Sequence, residues 1–148
     1  RLLASRQPSK PHVTLYEGSE GIKSLYNETL LSSEDIRSFS SAESLEFFDK
    51  KFLHGYYEHR ADKGIFIKAI VNDGANARSY KKEDKKLRRE IKIVPKELMD
   101  INPEVYVYDN KLAIFSLKEK FAVLIESADI AQAIKKLYDL AWLKADEY

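Results

Sequence analysis

A chain of 148 residues, 44% hydrophobic and 33% charged, has the size of one domain and enough apolar material for one core. Nine Tyr, seven Phe and one Trp argue against intrinsic disorder, and the absence of Cys excludes a disulfide scaffold and Cys-based zinc sites. The net charge of +1 hides a segregation: residues 78–96 carry nine Lys/Arg against three acids, residues 12–77 seven against eleven, and residues 97–148 six against ten.

The opening RLLASRQPSKP contains Pro8 and Pro11 and reads as a linker, or the end of a connector helix, over residues 1–11. It has neither an initiator Met nor a signal-peptide core, the pattern expected of a piece of a longer, cytoplasmic chain. No apolar run approaches the roughly 18 residues of a membrane span. Residues 12–16 alternate as a short strand. After Glu17-Gly18, with Ser19 as a cap, the spacing of Ile22, Leu25, Tyr26 and Leu30 predicts a helix over about 20–32. A strand is expected over 35–40. Leu45, Phe48, Phe52, Leu53 and Tyr56 then repeat at helical intervals, predicting a helix capped by Ser41 or Ser44 and running to about Ala61.

Residues 65–71 are apolar and rich in branched side chains except at Lys68, as suits a central strand covered on both faces. Asn72-Asp73-Gly74 is a turn, 75–87 a weak polar helix, and 89–94 a strand ended by Pro95. Three short strands follow at 104–108, 112–117 and 122–126, joined by Asp109-Asn110 and by Lys118-Glu119-Lys120. Ser127 or Asp129 starts a final helix with Ile130, Ile134, Leu137, Ala141 and Trp142 as its apolar stripe. Strands alternating with helices and then a meander imply an α/β fold, a mixed sheet flanked by helices.

Chemical motifs are sparse. His54 and His59, five apart on one predicted helix, face different ways, and no His, Cys or carboxylate spacing matches a metal site. No GxGxxG, P-loop or G-x-S-x-G run occurs. The basic stretch 78–96 reads as the solvated face of one helix, as a track for a phosphate backbone or as an attractor of an anionic ligand.

The segments PHVTLYEGSEGIKSLYNETL, GIFIKAIV, LRREIKIVP and EVYVYDNKLAIFSLKEKFAVLIES resemble the regulatory domain of TrmB-type transcription regulators over about residues 11–145. The resemblance implies an effector-binding and dimerisation domain over 12–148, a phospholipase D-like single half. DNA would be read by an N-terminal winged helix lying outside this chain. The catalytic signature of phospholipase D halves is H-x-K-x-x-x-x-D. Here Asn102 stands at the histidine, Glu104 at the lysine and Asp109 at the aspartate, with Ser116-Leu117 where Gly-Ser follows. An amide cannot attack phosphorus, and a carboxylate repels a phosphate oxygen.

The expectation is therefore a catalytically inactive, dimeric, effector-sensing domain with no catalytic residue, metal or cofactor. Its ligand-binding candidates sit at predicted strand ends: Ser40, Ser41, Lys68, Arg89, Glu104, Tyr106 and Ser116. The alternative is a phosphodiesterase or nuclease with rearranged groups, which requires His12 or His59 near the Glu104 strand. A third reading is a dimerisation module without a ligand.

Overall fold

The computed structural model describes residues 10–148; residues 1–9, and with them most of the connector expected over 1–11, lie outside the described residues. In chain order the elements are β1 (His12–Glu17), α1 (Gly18–Thr29), β2 (Ile36–Ser41), a 3-10 turn (Ser44–Phe47), α2 (Lys50–Asp62), β3 (Ile67–Asn72), α3 (Ala77–Lys81), β4 (Arg89–Val94), a second 3-10 turn (Lys96–Leu98), β5 (Glu104–Tyr108), β6 (Lys111–Ser116), β7 (Phe121–Glu126) and α4 (Ala128–Ala145). The strands form one seven-stranded sheet in the order β1-β7-β6-β5-β2-β3-β4. β2, β3 and β4 run parallel, and every other pairing is antiparallel. The α/β mixed sheet flanked by helices is thus the observed fold class.

Alternation along the strands divides the core. Ile36, Ile67, Tyr106, Tyr108, Phe115 and Leu124 face the layer that contains α1, the first 3-10 turn and α2, where they meet Tyr26, Leu25, Leu45, Leu53 and Tyr56. On the opposite face α4 sets Tyr138 and Trp142 against Phe39, Ile70 and Val94, and Ala131 and Ile134 against Val107 and Leu112. The open β4 edge is guarded rather than bare. The Ile91 N–H donates to Asp84 Oδ2 at 2.8 Å, and the Ile91 carbonyl accepts from Lys81 Nζ. Side chains thereby occupy backbone groups that would otherwise template another strand.

Several boundaries differ from expectation for local reasons. Helix α1 begins at Gly18, so Ser19 is inside it and caps nothing. The helix expected to run to Ala61 from a cap at Ser41 or Ser44 is two pieces. The chain extends at Phe48, and Asp49 restarts it by accepting from Phe52 N at 3.0 Å. The apolar spacing hides the break because Leu45, Phe48 and Leu53 all enter the same core. The polar helix expected over 75–87 shrinks to five residues followed by turns. Its only buried apolar residues are Ala77 and Leu87, too little to hold successive helical turns against the sheet. Helix α4 is capped by Ser127, as expected, but rotated: Ala131, Lys135, Tyr138 and Ala145 are its buried line, while Ile130 and Leu137 are exposed. Two polar bonds fix that rotation, Lys135 Nζ to the Asp109 carbonyl at 2.7 Å and Tyr138 OH to the Lys68 carbonyl at 2.9 Å.

The turn between β1 and α1 folds back tightly enough that a Cβ at Gly21 would sit 2.8 Å from the backbone carbon of Tyr16, whereas one at Gly55 meets open space. Gly21→Ala is expected to destabilise the chain by roughly 1–3 kcal/mol through this backbone clash. Gly55→Ala, mid-helix and unobstructed, is expected to stabilise it by about 0.5–1 kcal/mol. Urea unfolding of the two variants tests the pair, and equal effects would contradict the close approach.

Candidate functional site

The first residue of β5 organises the site. Glu104 projects from the sheet toward α1 and is 3% exposed. One carboxyl oxygen accepts from Tyr26 OH, and the other accepts from Ser40 Oγ at 2.7 Å. Ser40 in turn lies 3.0 Å from Ser38 Oγ along the same face of β2. Tyr26 is locked by aromatic packing, stacked on Phe115 at 4.1 Å and edge-on to Tyr106 at 6.1 Å. Burial pushes the Glu104 carboxyl above its ordinary range, against the opposing pull of the two hydrogen bonds. Burial likewise raises the Tyr26 phenol well above its ordinary value, helped by the adjacent carboxylate.

A small cavity of ≈ 40 Å³ opens beside this carboxyl, walled by Ser40, Tyr57, Arg60, Tyr80, Arg89 and Tyr106 among others. At about 10–15 Å³ per water it accommodates roughly three waters, far less than the several hundred Å³ of a drug-sized ligand site. Its charges are held by the protein itself. Arg89 donates through Nε to Asp84 Oδ1 at 3.0 Å and through Nη2 to the Tyr80 carbonyl, with its guanidinium 5.5 Å from the Tyr57 ring. Arg60, 1% exposed, sends both terminal nitrogens to the Leu87 carbonyl at 3.1 and 2.8 Å, and its Nε has no partner among the described residues. Burial lowers the Arg60 guanidinium from its usual value. Neither arginine forms an ion pair with Glu104 among the described residues.

Four of the seven candidates therefore converge: Ser40, Arg89, Glu104 and Tyr106 all line this cavity. The other three are elsewhere. Ser41 accepts from Ser44 N at 3.3 Å and shapes the turn after β2. Lys68 lies on the opposite sheet face, its Nζ 5.5 Å from the Trp142 ring. Ser116 exchanges hydrogen bonds with Glu119 and closes the β6–β7 turn. Sequence reasoning missed Tyr57, Arg60 and Tyr80. For Arg60 a signal existed, since it follows Leu53 and Tyr56 on the same buried stripe of α2. A charge on an apolar stripe marks a buried polar site.

Of the three positions aligned with the H-x-K-x-x-x-x-D signature, Glu104 and Asp109 are engaged by protein partners. Asn102 is exposed on the loop before β5. Asp109, at a φ of 48°, accepts from Ser33 Oγ at 2.6 Å and from Ser33 N at 3.2 Å, tying the β5–β6 turn to the loop after α1. His12 lies on the edge strand β1, separated from β5 by β7 and β6. His59 is exposed on α2, and His54 faces Glu58 and Glu83 at 3.3 and 4.0 Å. No group of three metal-ligating side chains occurs among the described residues.

The fold is shared with TrmBL2. That archaeal chromatin protein, described as showing a novel mode of DNA binding, superposes with a TM-score of 0.58 at 13% identity, over 97% of this chain and 57% of its own. NucT from Helicobacter pylori superposes with a TM-score of 0.60 at 13% identity, over 88% of this chain and 94% of its own. A polyphosphate kinase from Porphyromonas gingivalis matches 94% of this chain with 28% of its own, at a TM-score of 0.59 and 14% identity. This chain thus spans little more than half of TrmBL2 and nearly all of NucT. No family model matches the sequence, and no curated protein does. No helix among the described residues is long and apolar enough to cross a membrane.

Glu104 carries a pH signature. A carboxyl raised by burial holds its proton more tightly folded than unfolded, so its penalty is absent in acid. The penalty grows as pH rises through the ordinary value of 4.5 and levels off above the folded value. Glu104→Gln keeps the shape and removes the charge, so its stability should gain on that of the parent as pH rises from about 4 to about 8. Denaturant midpoints across that range measure it, and parallel profiles would refute the assignment.

Proposed function

We propose that this chain is the effector-sensing and dimerisation domain of a TrmB-like DNA-binding regulator, binding through a phospholipase D-like scaffold without hydrolysing a phosphodiester. One observation carries the reading. At the three positions where hydrolysis requires an imidazole, a cation and a carboxylate, this chain has an exposed amide, a buried carboxyl and an aspartate committed to Ser33. A carboxyl that accepts from Tyr26 and Ser40 offers nothing to a phosphoryl oxygen, and no histidine of α2 or β1 adjoins it. The fold shared with TrmBL2 supports the same direction. DNA recognition in this reading belongs to a winged helix outside the sequence, and the effector is a small molecule that favours one dimer arrangement.

The cavity beside Glu104 is the effector site in this reading, with Ser40, Arg89, Glu104 and Tyr106 as its contacts. Its volume of ≈ 40 Å³ holds roughly three waters. An effector larger than a few atoms enters only if Tyr57 or Tyr80, the less buried walls, swing outward. Incubation with bis(p-nitrophenyl) phosphate should release no nitrophenol above buffer. Turnover that disappears in His12→Ala or His59→Ala would establish the competing phosphodiesterase reading.

Self-association is assigned to the outer face of α4. Leu137, Leu140 and Leu143 are 60%, 66% and 67% exposed there, an apolar stripe without a partner among the described residues. Sedimentation equilibrium should give a dimer for the parent chain and a monomer for Leu137→Glu/Leu140→Glu with unchanged circular dichroism. A monomeric parent, or a variant that stays dimeric, would remove this surface from the proposal.

A further inference from the structure

The crossover from α3 to β4 presents a second surface that the pocket reading does not use. Arg78, Lys81, Lys82, Lys85, Lys86 and Arg88 are all exposed, six cations within eleven consecutive residues. We infer that this ridge docks on the phosphate backbone of double-stranded DNA, independently of base sequence and of whatever occupies the cavity beside Glu104.

Three observations carry the inference. First, the cations are available. Lys82, Lys85, Lys86 and Arg88 have no carboxylate within ion-pair distance among the described residues, and only Arg78 and Lys81 do, each at 3.5 Å. Asp84 is drawn inward, where it accepts from Arg89 Nε and the Ile91 N–H. Glu83 is turned toward His54 on α2. The third acid of the 78–96 stretch, Glu90, lies beyond the ridge on β4.

Second, the ridge is preorganised. Leu87, 2% exposed, anchors it in the core, while Arg60 grips the Leu87 carbonyl with both terminal nitrogens. Backbone bonds from Leu87 N to the Glu83 carbonyl at 2.9 Å and from Arg89 N to the Asp84 carbonyl at 3.0 Å close its turns. A rigid display loses little backbone entropy when it meets a rigid polyanion.

Third, from Lys81 to Arg88 the ridge presents no exposed apolar or aromatic side chain, and Tyr80 before them is half-buried. Its apolar residue, Leu87, is buried, and Tyr80 is a wall of the cavity. A lipid surface is held by apolar side chains inserted beside the cations, and single-stranded nucleic acid by aromatic rings that stack on bases. Neither feature is present. Bare, ordered cations match the regular phosphates of a duplex, where affinity derives from counterion release. The flanking stretches 12–77 and 97–148 are each net acidic in sequence, which favours approach to a polyanion ridge first.

The test is fluorescence anisotropy of a labelled duplex of about 24 base pairs, of random sequence, titrated with the 148-residue chain. If about four phosphates are neutralised, affinity should fall about 100-fold between roughly 50 and 200 mM salt. Lys82→Glu/Lys85→Glu/Lys86→Glu should bind at least about tenfold more weakly and with a shallower salt slope. Lys51→Glu/Lys63→Glu/Lys118→Glu removes the same charge from exposed lysines elsewhere and should bind within about threefold of the parent. Equal losses in the two variants, no saturable binding by the parent at low salt, or binding to phosphatidylserine vesicles in preference to the duplex would each overturn the inference.

Discussion

A single carboxyl group, Glu104, sets the terms on which this sheet is packed. It enters the layer between the sheet and α1 at the head of β5, where its two oxygens are claimed by Tyr26 from α1 and Ser40 from β2. Burying a carboxyl without hydrogen bonds is costly, and hydrogen bonds to a charged group are worth about 1.5–3 kcal/mol each when they form. The arrangement therefore fixes the position of α1 relative to two strands that are far apart in sequence. Because Tyr26 is also the ring on which Phe115, Tyr106 and Tyr56 pack, the polar and aromatic parts of this layer share one residue. Displacing the carboxyl would disturb both at once.

A shared fold leaves the chemistry of its positions open. A fold fixes where the head of a strand projects, and the side chain there decides what the position does. At the position aligned with the lysine of the H-x-K-x-x-x-x-D signature, Glu104 is an internal hydrogen-bonding node. At the aspartate position, Asp109 holds the β5–β6 turn to the loop after α1 and lends its carbonyl to Lys135 of α4. Both positions are engaged in fastening elements together. That engagement supports the non-hydrolytic part of the proposed reading, because groups already satisfied by protein partners are poor candidates for transition-state contacts.

Legibility in the sequence tracked how local each determinant was. Strands β4, β5 and β7 stand out because their alternation or branched runs lie within five or six residues, and the Ser127 cap of α4 is equally local. The rotation of α4 was not legible, since apolar spacing favours a line through Ile130 and Leu137. The line actually buried is set by Lys135 and Tyr138 finding carbonyls on other elements. The same limit applies to the site. Ser40, Glu104 and Tyr106 could be placed together from strand polarity, but Lys68 and Ser41 fall on the other face because strand side chains alternate. Tyr57, Arg60 and Tyr80 enter the cavity through the packing of α2 and the α3 crossover on the sheet, which no short spacing encodes.

The buried arginines show how the interior and the basic surface are mechanically linked. Arg60 uses both terminal nitrogens on the carbonyl of Leu87, and Arg89 binds Asp84 and the Tyr80 carbonyl, so both clamp the segment that carries the exposed lysines. Each therefore serves the cavity wall and the crossover together. The carbonyl that Arg89 holds belongs to Tyr80, a residue that also walls the cavity. Arg89 also holds Asp84, whose second oxygen caps the β4 edge through the Ile91 N–H. The cavity wall and the crossover thus share one guanidinium and one carboxylate. Coupling between two sites needs a shared element with two arrangements that both sites bias. The Tyr80–Arg89–Asp84 hydrogen bonds hold one arrangement, so they act here as a brace that keeps the crossover in place beside the cavity wall.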